Sequence, residues 1–199
     1  MLDASARQRL HQPLNGISAW FEKRNITPNQ LTAVGFVIGV GACVAVAADR
    51  WILGLVMWLL NRLIDGLDGS LARRIGPTKL GGFFDIMADF AIYGGIVVAM
   101  GWAVPDARLA ALMLFLAYYL NGTAFLAWSS LAQELDVEGD GRSLNFPAGL
   151  AEGTETIVVM SVILLLPREW TATALWLWAA VVAISIVQRV LFVRTALRH

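Results

Sequence analysis

Cysteine is nearly absent from this chain: the single thiol, Cys43, lies inside an apolar stretch. A disulfide within the chain is thereby excluded, and a cysteine-based zinc site is disfavoured. Charge is scarce too. Charged residues fill 15% of the 199 positions, 15 basic against 15 acidic, so no basic excess points to nucleic acid as a partner. Histidine is confined to His11 and His199 near the two ends, which read as solvated side chains rather than ligands. The first thirty residues include Asp3, Arg7, Arg9, Glu22, Lys23 and Arg24. They lack an apolar core of about 7–15 residues, so no cleavable signal peptide is expected. What the chain does have is apolar surface, with 58% hydrophobic residues and a mean hydropathy of +0.65. A soluble domain averages about 45–50% apolar and about 25% charged. The excess excludes a disordered chain, a collagen and an ordinary water-soluble enzyme, and places the chain in a membrane.

A helix needs about 20 mostly apolar residues to cross the hydrocarbon. Six segments meet that requirement: Leu31–Ala48, Trp51–Ala72, Leu80–Val104, Ala107–Leu131, Gly149–Leu166 and Trp170–Phe192. Very short connections at Asp49–Arg50, Pro105–Asp106 and Pro167–Glu169 make neighbouring helices antiparallel hairpins. Trp51, Trp102 and Trp170 stand at segment ends, where amphipathic rings favour the interface. The expectation is an all-α polytopic membrane protein forming one domain over residues 1–199, with a juxtamembrane segment 1–30 and a six-helix bundle 31–192. With six crossings, both termini share a side with the second and fourth connections. Arg7, Arg9, Lys23, Arg24, Arg73, Arg74, Lys79, Arg142, Arg194 and Arg198 lie there, against Arg50, Arg108 and Arg168 opposite. The asymmetry puts the termini in the cytoplasm. Before the first crossing, Leu10, Leu14, Ile17 and Phe21 fit helical spacing, as in an amphipathic helix lying on the membrane surface or a short helix capping the bundle.

Asp65, Asp68, Asp85 and Asp89 fall within the second and third crossings, where carboxylates are costly and face a polar cavity or a partner. Asp65 and Asp68 are three residues apart and Asp85 and Asp89 four, so each pair projects from one helical face. The turn around Arg73–Lys79 joins the two helices, which are expected to run antiparallel and adjacent, bringing the acidic faces together near their cytoplasmic ends. Four converging carboxylates repel one another. Protons, the neighbouring bases Arg62, Arg73, Arg74 and Lys79, or bound cations could relieve the repulsion. Oxygen-only donors suit Mg²⁺, Mn²⁺ or Ca²⁺, and two such ions about 3.5–4 Å apart would match a phosphoryl-type displacement. Asp89, last in line, could then serve as general base. Gly66, Gly69, Gly81 and Gly82 around the acids allow close approach of a ligand or backbone, and Arg73 at the membrane edge is placed to hold a phosphate.

Asp65-Gly66-Leu67-Asp68-Gly69-Ser70-Leu71-Ala72-Arg73, then seven residues, then Gly81, Asp85 and Asp89 at four-residue intervals, resembles the signature of the CDP-alcohol phosphotransferases. That signature reads D-x-x-D-G-x-x-A-R, seven or eight residues, G-x-x-x-D-x-x-x-D, and every specified position is filled. Six crossings, the short chain and the Thr27-Pro28-Asn29 lead-in extend the likeness, which also fits a bacterial inner-membrane branch of the family. The resemblance implies transfer of a substituted phosphate from a CDP-linked donor, usually CDP-diacylglycerol, to an alcohol hydroxyl with release of CMP, in phospholipid biosynthesis. It implies two divalent cations, Mg²⁺ or Mn²⁺, with Asp65, Asp68, Asp85 and Asp89 at the metal-linked positions and Asp89 as base. Gly69, Arg73 and Thr78 match donor contacts, and Asn29 and Thr32 fall where relatives line the cytidine pocket. It further implies a homodimer among membrane lipids, with a cytoplasmic active site.

The acceptor is less defined. Phe90 follows Asp89 where phosphatidylglycerophosphate and cardiolipin-forming relatives carry a basic residue. The loop between the fourth and fifth crossings is acidic, with Arg142 its only base, which disfavours an inositol-phosphate acceptor. Glu152 and Glu155 share a face at the start of the fifth crossing, as an acceptor pocket for a polyol or amine, or as interfacial groups pairing with Arg142 or Arg62. A phosphorylated or lipid acceptor stands as the alternative. Rivals of other classes are a cation transporter, since intramembrane acids also mark ion paths, and a non-catalytic CDP-lipid binder. Clustering of the acids towards one membrane face argues against the first, and the full set of four against the second.

Overall fold

The computed structural model describes residues 15–134 and 153–197, all helix or connecting turn. A short helix over residues 15–23 (α1) precedes α2 (Pro28–Ala47), α3 (Trp51–Ile75), α4 (Lys79–Ala103), α5 (Arg108–Glu134), α6 (Gly153–Leu165) and α7 (Thr171–Ala196). Single 3₁₀ turns at Pro105–Ala107 and Arg168–Trp170 lead into α5 and α7. The helix starts and stops follow local chemistry. Thr27 caps α2: its hydroxyl accepts from the Gln30 amide at 3.3 Å while the Gln30 side chain accepts from the Thr27 amide at 2.9 Å, and Pro28 fills the first helical position. Between α3 and α4, Gly76 takes a φ of 104°, a conformation that favours glycine. Pro77 follows, and the Thr78 hydroxyl accepts from the Gly81 amide at 3.0 Å to start α4.

The helices α2 to α7 form a ring in the order α6, α3, α2, α4, α5, α7, with α7 returning to α6. Trp58, Ile92, Ile96, Met100, Leu114, Met160, Leu175 and Val182 fill its apolar centre. Trp178, in α7, turns inward and donates its indole N–H to the Tyr118 hydroxyl at 2.8 Å, whereas Trp176 faces out. Large apolar side chains cover the outside, Val37, Trp102 and Leu177 among them at 66–70% exposure. Such an exterior belongs in lipid. Four helices, α2, α4, α5 with its leading turn, and α7 with its leading turn, are long and apolar enough to cross a membrane; α6 is a shorter apolar helix. In α3 the length suffices, but Arg62, Asp65, Asp68, Arg73 and Arg74 interrupt the apolar run.

α3 and α4 are not adjacent in the way the short turn suggests. Among the described residues they do not pack closely along their lengths; α2 lies against both. The two helices meet instead through side chains, Arg62 with Asp89 at 2.8 Å and Trp58 with Tyr93 at 5.4 Å between ring centres. In α1, Phe21 packs on Leu31, Leu67 and Leu71, while Ile17 and Trp20 are about half exposed. Arg74 is tied to Glu22 at 2.8 Å, joining α1 to the end of α3. Leu10 and Leu14, expected on the same apolar face, lie outside the described residues.

Candidate functional site

The register about the α3–α4 turn builds the site. Asp65 lies ten residues before the last residue of α3 and Asp89 ten residues after the first residue of α4. At a rise of about 1.5 Å per residue both sit roughly 15 Å from the turn. Asp68 and Asp85 form a second level nearer the turn. Carboxylate oxygens of Asp65, Asp68 and Asp85 lie within 4.8 Å of one another. Asp68 is buried and the other two are partly so. Thr32 of α2 reaches across: its hydroxyl donates to Asp68 Oδ2 at 2.7 Å and contacts its own helix at Pro28 O at 3.1 Å.

Asp89 stands apart from the trio. Its Oδ1 accepts from Arg62 Nη1 at 2.8 Å. Arg62 is also held by Asn61, whose Oδ1 accepts from Arg62 Nε at 2.7 Å, and Asn61 Nδ2 donates to Gly35 O of α2 at 2.9 Å. The guanidinium faces the rings of Tyr93 at 4.6 Å and Trp58 at 5.1 Å. In the sequence Arg62 is one of several bases that could pair with the acids; its commitment to Asp89, and the part of Asn61, are visible only in the structure. The signal was an arginine eleven residues into an apolar helix, three before Asp65 on the same face.

Gly69 and Arg73 occupy the last two turns of α3. A Cβ at Gly69 would come within 3.5 Å of Arg73 Nη1, so the guanidinium folds back over the glycine. Arg73 is exposed, whereas its neighbour Arg74 is engaged by Glu22. At the start of α4, a Cβ on Gly81 would lie 2.9 Å from both Asn29 Oδ1 and Thr78 Oγ1. The bare glycine lets Asn29, Thr78 and the α4 N-terminus converge, and Thr78 is occupied as the helix cap. Between α2 and α4 runs an apolar groove of about 440 Å³, lined by Asn29, Thr32, Ala33, Phe36, Phe84, Met87, Ala88 and Ala91. Thr32, Phe36 and Ala88 also line a small polar cavity of about 10 Å³ among Asn61, Arg62, Asp65, Asp68 and Asp89, the volume of one water. Groove and acids are thus contiguous. Glu155 lies in the first turn of α6, which packs on α3. Glu152 and Arg142 lie outside the described residues.

Three carboxylates at this spacing, with no nitrogen or sulfur donor among them, fit a hard divalent cation. Residues 25–187 match the family model for CDP-alcohol phosphatidyltransferase. The chain is 39% identical over 184 residues to the inner membrane protein YnjF of Escherichia coli, covering 90% of this chain and 89% of that one. It is 31% identical over 161 residues to the archaetidylinositol phosphate synthase of Pyrococcus horikoshii, covering 77% of each. In fold it is similar to the phosphatidylinositol phosphate synthase of Mycobacterium tuberculosis. The structure of that enzyme with CDP-DAG bound superposes with a TM-score of 0.72 at 20% identity, covering 89% of this chain and 91% of that one. The structure of the same enzyme with manganese and citrate gives a TM-score of 0.71, covering 89% and 87%. The chain belongs to the CDP-alcohol phosphatidyltransferase family, and it is a transferase of that family.

Proposed function

We propose that the protein transfers the phosphatidyl group of CDP-diacylglycerol to the hydroxyl of a small alcohol and releases CMP. The observation that carries this reading is the cluster of Asp65, Asp68 and Asp85, beside Asp89 and open to the α2–α4 groove, in a chain of this family. Asp65, Asp68, Asp85 and Asp89 would hold two divalent cations, Mg²⁺ or Mn²⁺, which supply charge neutralisation for the donor diphosphate and the departing CMP. Arg73, over Gly69, holds a diphosphate oxygen. Asn29, which lines the groove, and Thr78, which meets it at Gly81, would face the cytidine together with Thr32, whose hydroxyl also fixes the orientation of Asp68. The apolar groove keeps the donor's acyl chains at bilayer depth. The acceptor hydroxyl oxygen bonds to the phosphorus that carries the diacylglycerol as the bridging P–O bond to CMP breaks, and Asp89 takes the hydroxyl proton.

The same proposal places α3 and α6 among six crossings, with α1 at the membrane surface and residues 1–199 forming one domain. The active site and both termini are on the cytoplasmic side, as in a bacterial inner membrane. Basic residues gathered around the α3–α4 turn support that orientation. A homodimer belongs to the reading on family resemblance alone. Glu155, in the first turn of α6, is assigned to the acceptor together with Glu152 and Arg142, which precede α6 in sequence.

A phosphorylated polyol is the second reading of the acceptor. It is favoured by the inositol phosphate synthases among the relatives and by Arg189, a buried cation in α7. Purified protein given CDP-diacylglycerol, Mn²⁺ and serine, glycerol, inositol, inositol phosphate, glycerol 3-phosphate or phosphatidylglycerol separates the two. CMP release with an unphosphorylated small alcohol, absent in Asp89→Asn, is the expected result. Release only with a phosphorylated acceptor selects the second reading, and no release with any acceptor together with no cytidine-nucleotide binding overturns both.

A further inference from the structure

Arg62 differs from the other bases around the acids. Its side chain is 5% exposed, and its partner Asp89 is 32% exposed. The guanidinium is fixed from three directions: by Asn61, which is itself anchored to the α2 backbone at Gly35, by the rings of Trp58 and Tyr93, and by Asp89. The two rings meet edge to face at 5.4 Å, closing the apolar side of the pocket. A cation so held cannot follow a partner outward, and a buried guanidinium stripped of its carboxylate is an uncompensated charge. Of the pair, Asp89 is the member free to turn. Its Oδ1 is engaged by Arg62, and Asp89 is not one of the three clustered carboxylates, though it lines the same small cavity as Asp65 and Asp68.

We infer that Arg62 is the positioning residue of Asp89 and sets the order in which the site fills. The Asp65, Asp68 and Asp85 oxygens take the first divalent cation. Any ion that also uses Asp89 draws on a carboxylate whose charge the buried Arg62 guanidinium already offsets and is repelled by that cation, so it binds second and more weakly. Arg62 thereby also holds one oxygen of the base in place and leaves the other for the acceptor proton. The inference rests on the metal-dependent reading above, and its test needs no turnover.

Mn²⁺ binding to the purified full-length protein is titrated by the electron paramagnetic resonance of the free ion. The wild type is expected to show a tight and a weaker class of site. Arg62→Gln tightens the weaker class on the order of tenfold, the scale on which partners of metal ligands act, and leaves the tight class in place. Arg62→Lys, which keeps the charge but loses the forked geometry, gives a smaller shift and remains informative if Arg62→Gln does not fold. In an Asp89→Asn background Arg62→Gln changes nothing, because the carboxylate that Arg62 offsets is gone. With donor and acceptor supplied, Arg62→Gln lowers kcat more than it raises the KM for donor. Unmoved Mn²⁺ classes in both Arg62 variants, or an Arg62→Gln effect that persists in the Asp89→Asn background, would overturn the inference while leaving the transferase reading intact. No Mn²⁺ binding by the wild type would overturn both.

Discussion

The two halves of α4 are built to opposite purposes. From Ile92 to Gly101 the helix is embedded: Ile92, Ile96, Val97 and Met100 are buried in the apolar centre, and Tyr93 closes over Trp58. From Lys79 to Ala91 no residue is buried, and Phe83, Phe84, Met87 and Phe90 are all more than 40% exposed. Asp85 and Asp89 stand in that open half, opposite Asp68 and Asp65 on α3. Close packing and a ligand site cannot share the same stretch of helix, because a well-packed interior leaves few voids larger than a water molecule. In the ring α4 packs against α2 and α5, while it meets α3 only through side chains. The embedded half holds the fold, and the open half carries Asp85, clustered with Asp65 and Asp68 of α3, and Asp89, paired with Arg62.

Substitutions in the two halves should therefore separate stability from chemistry. Asp85→Asn in the open half is expected to cost on the order of 10³ in CMP release, several kcal/mol of charge stabilisation. The same change raises the melting temperature in EDTA, because one like charge is removed from a crowded cluster. Loss of both turnover and metal-free stability would place Asp85 in the packing instead. Ile96→Ala in the embedded half leaves a cavity and lowers stability by about 2–5 kcal/mol. Chemical denaturation in detergent reads that loss, and Mn²⁺ affinity should not change with it. The smallest effect lies on α2, which touches both halves. Thr32→Val removes the hydroxyl donor of Asp68 and should weaken Mn²⁺ binding about tenfold with the fold unaltered, measured by the same Mn²⁺ titration.

Much of the open half was legible in the sequence. The four aspartates at three- and four-residue spacing, the Gly76-Pro77-Thr78 turn that sets their register and the glycines around them are local signals, and helical periodicity is enough to place the acids on facing surfaces. The helix limits also agree closely, as in Trp51–Ala72 expected against Trp51–Ile75 observed. What the sequence did not disclose is set by packing. The short connection suggested that α3 and α4 pack side by side, but α2 packs closely on both and the two meet only through side chains. Which of Arg62, Arg73, Arg74 and Lys79 answers the acids depends on how far each helix is rotated, and that is fixed by Trp58, Tyr93 and Gly35, none of which carries a motif. Thr32 reads from sequence as part of a nucleotide pocket, yet its hydroxyl is 2.7 Å from Asp68. Glu155 shows a different boundary, since its companions Glu152 and Arg142 lie outside the described residues.

The most direct measurement is anomalous scattering from crystals of the full-length protein grown with Mn²⁺, recorded beside crystals of Asp68→Asn. A peak among the Asp65, Asp68 and Asp85 oxygens, lost in the variant, is the predicted result. Mn²⁺ absent from that cluster, or equally present there in Asp68→Asn, would contradict the assignment of the open half of α4 as a metal-dependent transfer site.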